Sequence, residues 1–203
     1  TPDFRYQMLR IGAKKLDAVL FTHPHKDHIA GLDDVRAFNY FQHKAMPLYG
    51  NRMTLNAVKV DFAYAFAEKK YPGIPQLQLN EITLDPFVIG DIPIIPIQVW
   101  HLNMPVYGFR FGDFTYITDA NRIDESEKEK IKGSKIIVVN ALRKEAHISH
   151  YNLFEAVALV QELAIPKAYF THISHQLGRH EEIEKKLPEG IHLGYDGLEL
   201  MCG

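Results

Sequence analysis

The sequence predicts a mixed α/β domain in which helices cover layers of β-sheet. Two patterns lead to this fold class. Short β-branched runs alternate with amphipathic helical segments along the chain, and residues 76–118 form a block of strands in the antiparallel style. With 203 residues, 46% of them hydrophobic, the chain can bury a full core. We therefore expect residues 1–203 to form one domain.

The first half of the chain is predicted to alternate helices with two strands. Gly12 ends the first helix, and the amide side chain of Asn51 caps the last one. Apolar runs without helical period predict the strands. The predicted helices span residues 3–11, 27–41 and 51–66, and the predicted strands span residues 16–21 and 46–50.

The second half is predicted to be richer in strands. Two dipeptides, Gly112-Asp113 and Asp196-Gly197, are typical of tight turns between antiparallel strands. The predicted strands are residues 76–79, 81–84, 92–100, 106–111, 114–118, 135–140, 167–171, 191–195 and 198–201, and the predicted helices are 124–132, 153–164 and 181–187.

A turn rich in histidine follows the first predicted strand. His23, His25, Asp27 and His28 lie within six residues, where a buried strand ends and a helix begins. Such a turn exposes side chains at the carboxyl end of a sheet, where α/β proteins build their sites. Imidazole and carboxylate are ligands of zinc, manganese and iron. Four ligands from so short a stretch cannot surround one ion, so the pattern indicates two.

Three later strands also end at a residue that can bind a metal. His101, Asp119 and His172 each follow a β-branched or aromatic run directly. Strand ends of this kind are expected to converge on one edge of the sheets. The repeated pattern supports a metal site more strongly than the histidine turn does alone.

Composition excludes several classes of protein. The net charge of −2, with 24% charged residues, gives no overall field that would attract long nucleic acid or an anionic membrane. Cys202 is the one cysteine, so no disulfide can form within the chain, which is compatible with the cytoplasmic location we expect. The sequence contains no apolar stretch long enough for a membrane span and no signal-peptide pattern.

Taken together, the histidine turn, the strand-end His101, Thr118-Asp119 and Thr171-His172 resemble the metallo-β-lactamase superfamily. The resemblance implies a four-layer αββα sandwich with two divalent transition metal ions, zinc or manganese, at its edge. It also implies how the ligands are divided. His23, His25 and His101 would hold one ion, Asp27, His28 and His172 would hold the other, and Asp119 would bridge them.

Within that superfamily, finer motifs resemble the phosphoribosyl cyclic phosphate phosphodiesterase (PhnP) branch. They are Pro2-Asp3-Phe4-Arg5, Gly31-Leu32-Asp33-Asp34, Thr171-His172-Ile173-Ser174-His175 and Tyr195-Asp196-Gly197. The branch opens with strands that this chain lacks, so we expect the chain to be incomplete at its amino terminus. The branch often carries a third, structural zinc, for which His175 is the matching ligand. An ordinary surface role for His175 is equally open.

The resemblance implies a phosphodiesterase that acts on a small cyclic or nucleotide-like phosphate. His150 matches the catalytic histidine of the branch and is the candidate general acid, with His147 as its rival. Asp27 belongs to both the metal and the catalytic sets. Arg143 could bind phosphate, with a surface salt bridge as the alternative, and His147 is a second candidate for substrate binding.

Several alternatives stay open from the sequence. The protein could be another hydrolase of the same fold, such as a nuclease or a lactone or thioester hydrolase, or a non-catalytic metal-binding module. The Lys69–Pro75 loop is either a lid or a solvated connector. Asp33 and Asp34 either orient ligand imidazoles or lie on a helix surface. A homodimer is possible, and no membrane partner is expected.

Overall fold

In a computed structural model, residues 1–69 and 71–202 are described. The chain divides into two compact units, Thr1–Thr83 and Leu84–Gly203, and each is described by itself. One domain over residues 1–203 stays a prediction. Lys70, in the loop considered as a lid, and Gly203 lie outside the described residues. Within the described part of the chain, no helix is long and apolar enough to cross a membrane.

The first unit is built on a small parallel sheet. Its strands lie side by side in the order β1-β2-β3, and both pairs are parallel. The strand predicted over residues 16–21 is hydrogen-bonded as a strand only at its centre. The three strands are β1 (Val19–Leu20), β2 (Met46–Gly50) and β3 (Leu77–Glu81).

Five helices complete the first unit, and the helix predicted over residues 27–41 is broken into three pieces. A 3₁₀ segment, Ala30–Val35, separates its two α-helical ends. Gly31 is the second residue of this tighter stretch, and glycine is a poor helix former. A Cβ on Gly31 would lie 2.0 Å from the carbonyl oxygen of Thr1. The helices are α1 (Phe4–Arg10), α2 (Lys26–Ile29), α3 (Arg36–Gln42), α4 (Arg52–Asp61) and α5 (Ala63–Phe66).

A hydrophobic core holds the first unit together. As predicted, Asn51 caps α4, and its side-chain oxygen accepts the backbone N–H of Thr54 at 2.8 Å. Helix α4 then packs against β2 and β3. The buried cluster consists of Phe21, Ile29, Leu32, Val35, Phe38, Met46, Leu48, Val58, Phe62 and Ala65.

The second unit contains a seven-stranded sheet in the order β10-β9-β8-β7-β6-β5-β4. The pairs from β4 to β7 are antiparallel, and those from β7 to β10 are parallel. The predicted hairpin turn at residues 112–113 is confirmed, because Phe111 pairs with Phe114. The strands are β4 (Phe87–Ile89), β5 (Ile92–His101), β6 (Met104–Phe111), β7 (Phe114–Tyr116), β8 (Ile136–Asn140), β9 (Lys167–Thr171) and β10 (Ile191–Leu193).

Three helices pack on this sheet, α6 at β5, α7 at β8 and α8 at β10. The side chain of Asn152 caps α7 in a reciprocal pair with Glu155. Buried Ile97, Ile117 and Phe170 belong to a second hydrophobic core. The helices are α6 (Glu125–Ile131), α7 (Leu153–Glu162) and α8 (His180–Glu184).

Two predictions about strands are wrong. Residues 198–201 form no strand, and β10 pairs instead with β9 in parallel, which buries Ile191 and Leu193 at the edge of the sheet. Residues 76–79 and 81–84 are not two strands, since one strand, β3, spans the boundary between them. In both cases pairing with a neighbouring strand decided the outcome, and local turn residues did not.

Candidate metal centre

The histidine turn of the first unit lies between β1 and α2. Phe21 hydrogen-bonds to Tyr49 of β2 and continues the edge of the sheet, and the chain then leaves it at Thr22 and His23. His23 is fully buried, whereas His25 is exposed. The turn therefore holds one imidazole inside the protein and presents another at the surface.

The imidazoles of this turn are spaced as ligands of one ion would be. His23 Nε2 lies 3.2 Å from His25 Nδ1. Two nitrogens that bind the same tetrahedral zinc at about 2.0–2.1 Å lie about 3.3 Å apart. The other nitrogen of His23, Nδ1, is 3.0 Å from the hydroxyl of Thr22, which fixes the ring. The residues of the turn fit a divalent ion.

The remaining members of the turn lie on α2. The ring of His28 is 4.1 Å from that of His23, centroid to centroid. Its Nε2 is 3.2 Å from a carboxylate oxygen of Asp27, whose side chain is 60% exposed. The four predicted ligands of this unit thus form one contiguous group.

In the second unit, the predicted ligands are brought together by the sheet. His101 is the last residue of β5, and Asp119 and His172 follow β7 and β9. His150 comes from the loop between β8 and α7. Candidate ligand atoms of His101, Asp119 and His150 all lie within 4.8 Å of one another.

Asp119 is at the centre of this second group. Its Oδ2 lies 3.3 Å from His150 Nε2, and its Oδ1 lies 3.3 Å from His172 Nε2. The hydroxyl of Thr118 donates a hydrogen bond to Oδ1 at 2.7 Å. The carboxylate is buried, and each of its oxygens faces an imidazole. A carboxylate that offers its two oxygens in this way fits a bridging role between cations.

Two of these ligands have an unusual backbone conformation. Asp119 and His172 have φ angles of +55° and +52°, in the left-handed region that favours glycine. Each such residue costs of order 1 kcal/mol. Backbone strain of this kind accumulates at functional sites, and here it falls on two of the three predicted strand-end ligands.

A hydrogen bond to the backbone orients the ring of His101. Its Nδ1 lies 2.9 Å from the carbonyl oxygen of Ser149. Because a carbonyl can only accept, Nδ1 is the donor in this contact, and Nε2 is the nitrogen that would bind a metal. This is the arrangement in which a metal-binding histidine is usually held.

The two histidines of the β8–α7 loop contact each other. Their Nδ1 atoms are 3.1 Å apart, and the hydroxyl of Ser149 is 3.0 Å from Nδ1 of His150. His150 is buried, and His147 is half-buried. Burial lowers the pKa of His147, and the neighbouring His150 and Arg143 lower it further. His147 is therefore held neutral beside its partner at neutral pH.

Comparison with known proteins gives the family. Residues 1–173 match the family model described as the beta-lactamase superfamily domain. The chain belongs to the beta-lactamase superfamily. The predicted metallo-β-lactamase fold is therefore confirmed.

Solved structures narrow the branch of the superfamily. A diphosphatase of the PhnP family is 39% identical with a TM-score of 0.91, and the match covers 100% of this chain and 78% of that one. The predicted PhnP-like branch is confirmed. Zn²⁺-bound PqqB from Methylobacterium extorquens is 18% identical with a TM-score of 0.75, covering 100% of this chain and 80% of that one. At that identity, it shows the fold alone.

One curated relative has a different name. An octanoyltransferase from Porphyromonas gingivalis is 36% identical over 201 residues, which is 98% of this chain. The chain spans 40% of the length of that relative. Most of the octanoyltransferase therefore lies outside the matched region.

Arg143, a predicted phosphate ligand, contacts protein groups on both sides. Its Nη1 donates to the side-chain oxygen of Gln176 at 2.9 Å, and its Nη2 donates to the carbonyl of Ala146 at 3.0 Å. These bonds tie the loop that carries His147 and His150 to the turn after His172. Phosphate binding by Arg143 stays a prediction.

Two other expectations concern residues outside the metal groups. His175 is exposed at the start of a short 3₁₀ helix, and within residues 1–69 and 71–202 it belongs to no group of three potential ligands. Its role in a structural zinc site stays a prediction. Asp33 accepts a hydrogen bond from Tyr64 and lies 3.6 Å from Arg36. These contacts place Asp33 on the helix surface of this superfamily member.

Sequence reasoning gave no role to the residues that orient the ligands. Thr22 and Thr118 bond directly to His23 and Asp119, and the Ser149 carbonyl fixes His101. A signal for the threonines was present, since threonine directly precedes three ligands, at Thr22, Thr118 and Thr171. Nothing in the sequence marked Ser149, because its backbone makes the contact.

Proposed function

We propose that this protein is a dinuclear metal-dependent phosphodiesterase that acts on a small cyclic or nucleotide-like phosphodiester. The observation that carries the proposal is Asp119, a buried carboxylate with an imidazole 3.3 Å from each oxygen. The superfamily and the similarity to a PhnP-family diphosphatase support phosphate chemistry.

The ligand set would be the one that the resemblance implies. In that set, the turn containing His23, His25, Asp27 and His28 would supply one part, and His101, Asp119 and His172 would supply the other. Imidazole and carboxylate ligands suit zinc and manganese alike. When bound, two such ions supply a hydroxide at neutral pH and neutralise charge on the phosphate.

His150 would serve as the proton donor. An alkoxide leaves phosphorus readily only if its oxygen receives a proton, and a histidine can hold that proton near neutral pH. Nε2 of His150 faces Asp119, while Nδ1 faces Ser149 and His147. In the proposal, Nε2 delivers the proton to the leaving oxygen.

The name of the Porphyromonas gingivalis relative raises acyl transfer as a contrasting activity. That name describes a protein of which this chain spans 40%. The diphosphatase is matched over 78% of its length, so its activity is the better guide. The net charge of −2 argues against long nucleic acid as the substrate.

Metal analysis and a substrate panel test the proposal. Protein purified without chelator should hold about two equivalents of zinc or manganese per chain. The metal-loaded protein should hydrolyse bis(p-nitrophenyl) phosphate, and should leave nitrocefin and an octanoyl thioester almost untouched. Absence of metal would disprove the site. Turnover of the thioester or nitrocefin without diesterase activity would disprove the reaction.

A further inference from the structure

Two exposed aliphatic side chains lie close in sequence to residues of the second unit's site. Leu102 follows His101 and is 47% exposed, and Ile148 lies two residues before His150 and is 74% exposed. Both belong to the segments that carry the candidate ligands and the proposed proton donor. Isolated exposed aliphatic residues are common, so their placement needs further support.

The backbone of Leu102 supplies that support. It is the first residue of the two-residue turn between β5 and β6, because His101 pairs with Met104. Its φ of +56° lies in the left-handed region. Turns of this kind favour glycine or asparagine at such a position. Leucine costs more conformational free energy than glycine at this position, and its side chain is exposed. This combination indicates a functional role for the side chain.

One amide side chain holds the two segments together. Asn121 accepts the backbone N–H of Leu102 at 2.9 Å and donates to the carbonyl of Ile148 at 3.1 Å. The hydrogen bond from His101 to Ser149 joins the same segments a second time. Leu102 and Ile148 are thus fixed as neighbours on the border of the site. We call this pair the aliphatic rim.

The short stretches next to the candidate ligands contain no lysine or arginine, although Arg143 and Lys144 lie earlier in the loop that carries Ile148. Residues 100–103, 118–121, 147–151 and 171–176 carry histidine and aspartate as their only ionisable groups, apart from Tyr151. The nearest arginine in sequence to Asp119 is Arg122, which stacks on Trp100 and lies 3.4 Å from Asp124. Arg143 is a cation beside these segments, and its guanidinium already donates to Gln176 and to the carbonyl of Ala146.

We propose that the aliphatic rim binds an uncharged ring, such as a nucleobase or aryl group, carried by the part of the substrate that does not leave. This inference rests on the proposed phosphodiesterase function and specifies its substrate class. Leu102 and Ile148 determine specificity, and Asn121 is a positioning residue.

Paired esters with one leaving group test the rim by turnover. Phenyl p-nitrophenyl phosphate and methyl p-nitrophenyl phosphate release the same phenolate and differ only in the group that stays. We expect Leu102→Asn and Ile148→Thr each to lower kcat/KM for the phenyl ester about tenfold, through KM, because a missing apolar contact costs about that much. The methyl ester should change less than about twofold. Asparagine suits the left-handed turn, so folding is retained.

Binding of the corresponding monoesters tests the rim without turnover. By calorimetry, the metal-loaded wild-type protein should bind phenyl phosphate more tightly than methyl phosphate, and both variants should lose that preference. Val88→Thr is the matched control, since Val88 is 61% exposed on β4, away from the site, and should leave every ratio unchanged. Melting temperature and metal content should stay at wild-type values.

The outcomes separate the two proposals. If neither ester is hydrolysed but phenyl phosphate is preferred and the variants abolish the preference, the phosphodiesterase proposal fails and the rim stands. If the wild type binds both monoesters equally, or if the variants weaken both to the same extent, the rim is disproved whatever the turnover.

Discussion

The two ring nitrogens of His150 face different neighbours. Nε2 lies 3.3 Å from Asp119, whereas Nδ1 lies within 3.1 Å of Ser149 and His147. His147 is the more exposed of the two, and its Nδ1 contacts the ring of His150. The geometry therefore favours His150 over His147 as the proposed proton donor.

Replacing each histidine in turn tests this assignment. His150→Ala should lower kcat about 10²- to 10⁴-fold for an alkyl leaving group, because that alkoxide needs a proton, and much less for p-nitrophenolate. His147→Ala, the control from the same loop, should retain most of the activity. Elemental analysis should find unchanged metal in both variants. If His150→Ala loses its metal, His150 is a ligand instead.

The hydroxyl of Thr118 donates a hydrogen bond to the Asp119 carboxylate. It donates at 2.7 Å, and the threonine is 1% exposed. A hydrogen bond to a buried carboxylate both holds its orientation and stabilises its charge. The threonine that precedes the ligand thus contributes to the site through its side chain.

Thr118→Val should remove this contact without changing the volume of the side chain. We expect the free energy of unfolding to fall by about 2 kcal/mol and metal affinity to fall about 10- to 100-fold. Urea unfolding and competition with a chelator measure the two effects. Thr115→Val is the matched control, since the buried Thr115 hydroxyl bonds to Ser134. It should lose stability and keep its metal affinity, and equal loss of affinity would contradict the assignment.

At the scale of elements, one carboxylate secures the edge strand β10. Glu184 of α8 accepts the backbone N–H of Leu193 and contacts Nδ1 of His192, both at 2.7 Å. Burial raises the pKa of Glu184, but these hydrogen bonds outweigh it and hold the pKa below its ordinary value of 4.5. The charged carboxylate is thus the form that stabilises the folded protein.

This pKa shift predicts how stability depends on pH. Because the folded pKa is depressed, the contribution of Glu184 is present above its unfolded value of 4.5 and is lost as the pH falls through the lower folded value. Glu184→Gln should therefore be less stable than wild type near pH 7, and the difference should shrink below about pH 4.5. Urea unfolding across this range measures it. The exposed Glu189→Gln control should show a small difference independent of pH, and a constant difference for Glu184→Gln would refute the prediction.

Elements with strong local signals could be predicted from the sequence. Strand β2 has the predicted limits because its side chains alternate between buried and half-buried positions. Helix α4 begins after Asn51 because that side chain caps it. The failures depended on distant contacts. The predicted helix is interrupted by a 3₁₀ segment that includes Gly31, whose backbone closely approaches Thr1. Strand β10 pairs with β9, and not with residues 198–201 across a local turn.

At the scale of the whole molecule, the fold and family could be predicted because the ligands follow buried strands. A residue at the end of a strand, such as His101, or directly after one, such as His172, is placed by the sheet, so its position in space follows from its position in the sequence. The contacts that orient the ligands could not be predicted in the same way. The carbonyl of Ser149 and the amide of Asn121 act across loops whose shape no periodic pattern encodes.

The mixed sheet of the second unit also bears on the order of folding. Strands β5, β6 and β7 join through two-residue turns, so their pairing closes only short loops. Strands β8 and β9 pair in parallel and must wait for the crossovers that contain α6 and α7. His101 would therefore be in place early, while His150 and His172 arrive with the slower pairings. The candidate ligands of this unit would therefore come together only when its parallel strands pair.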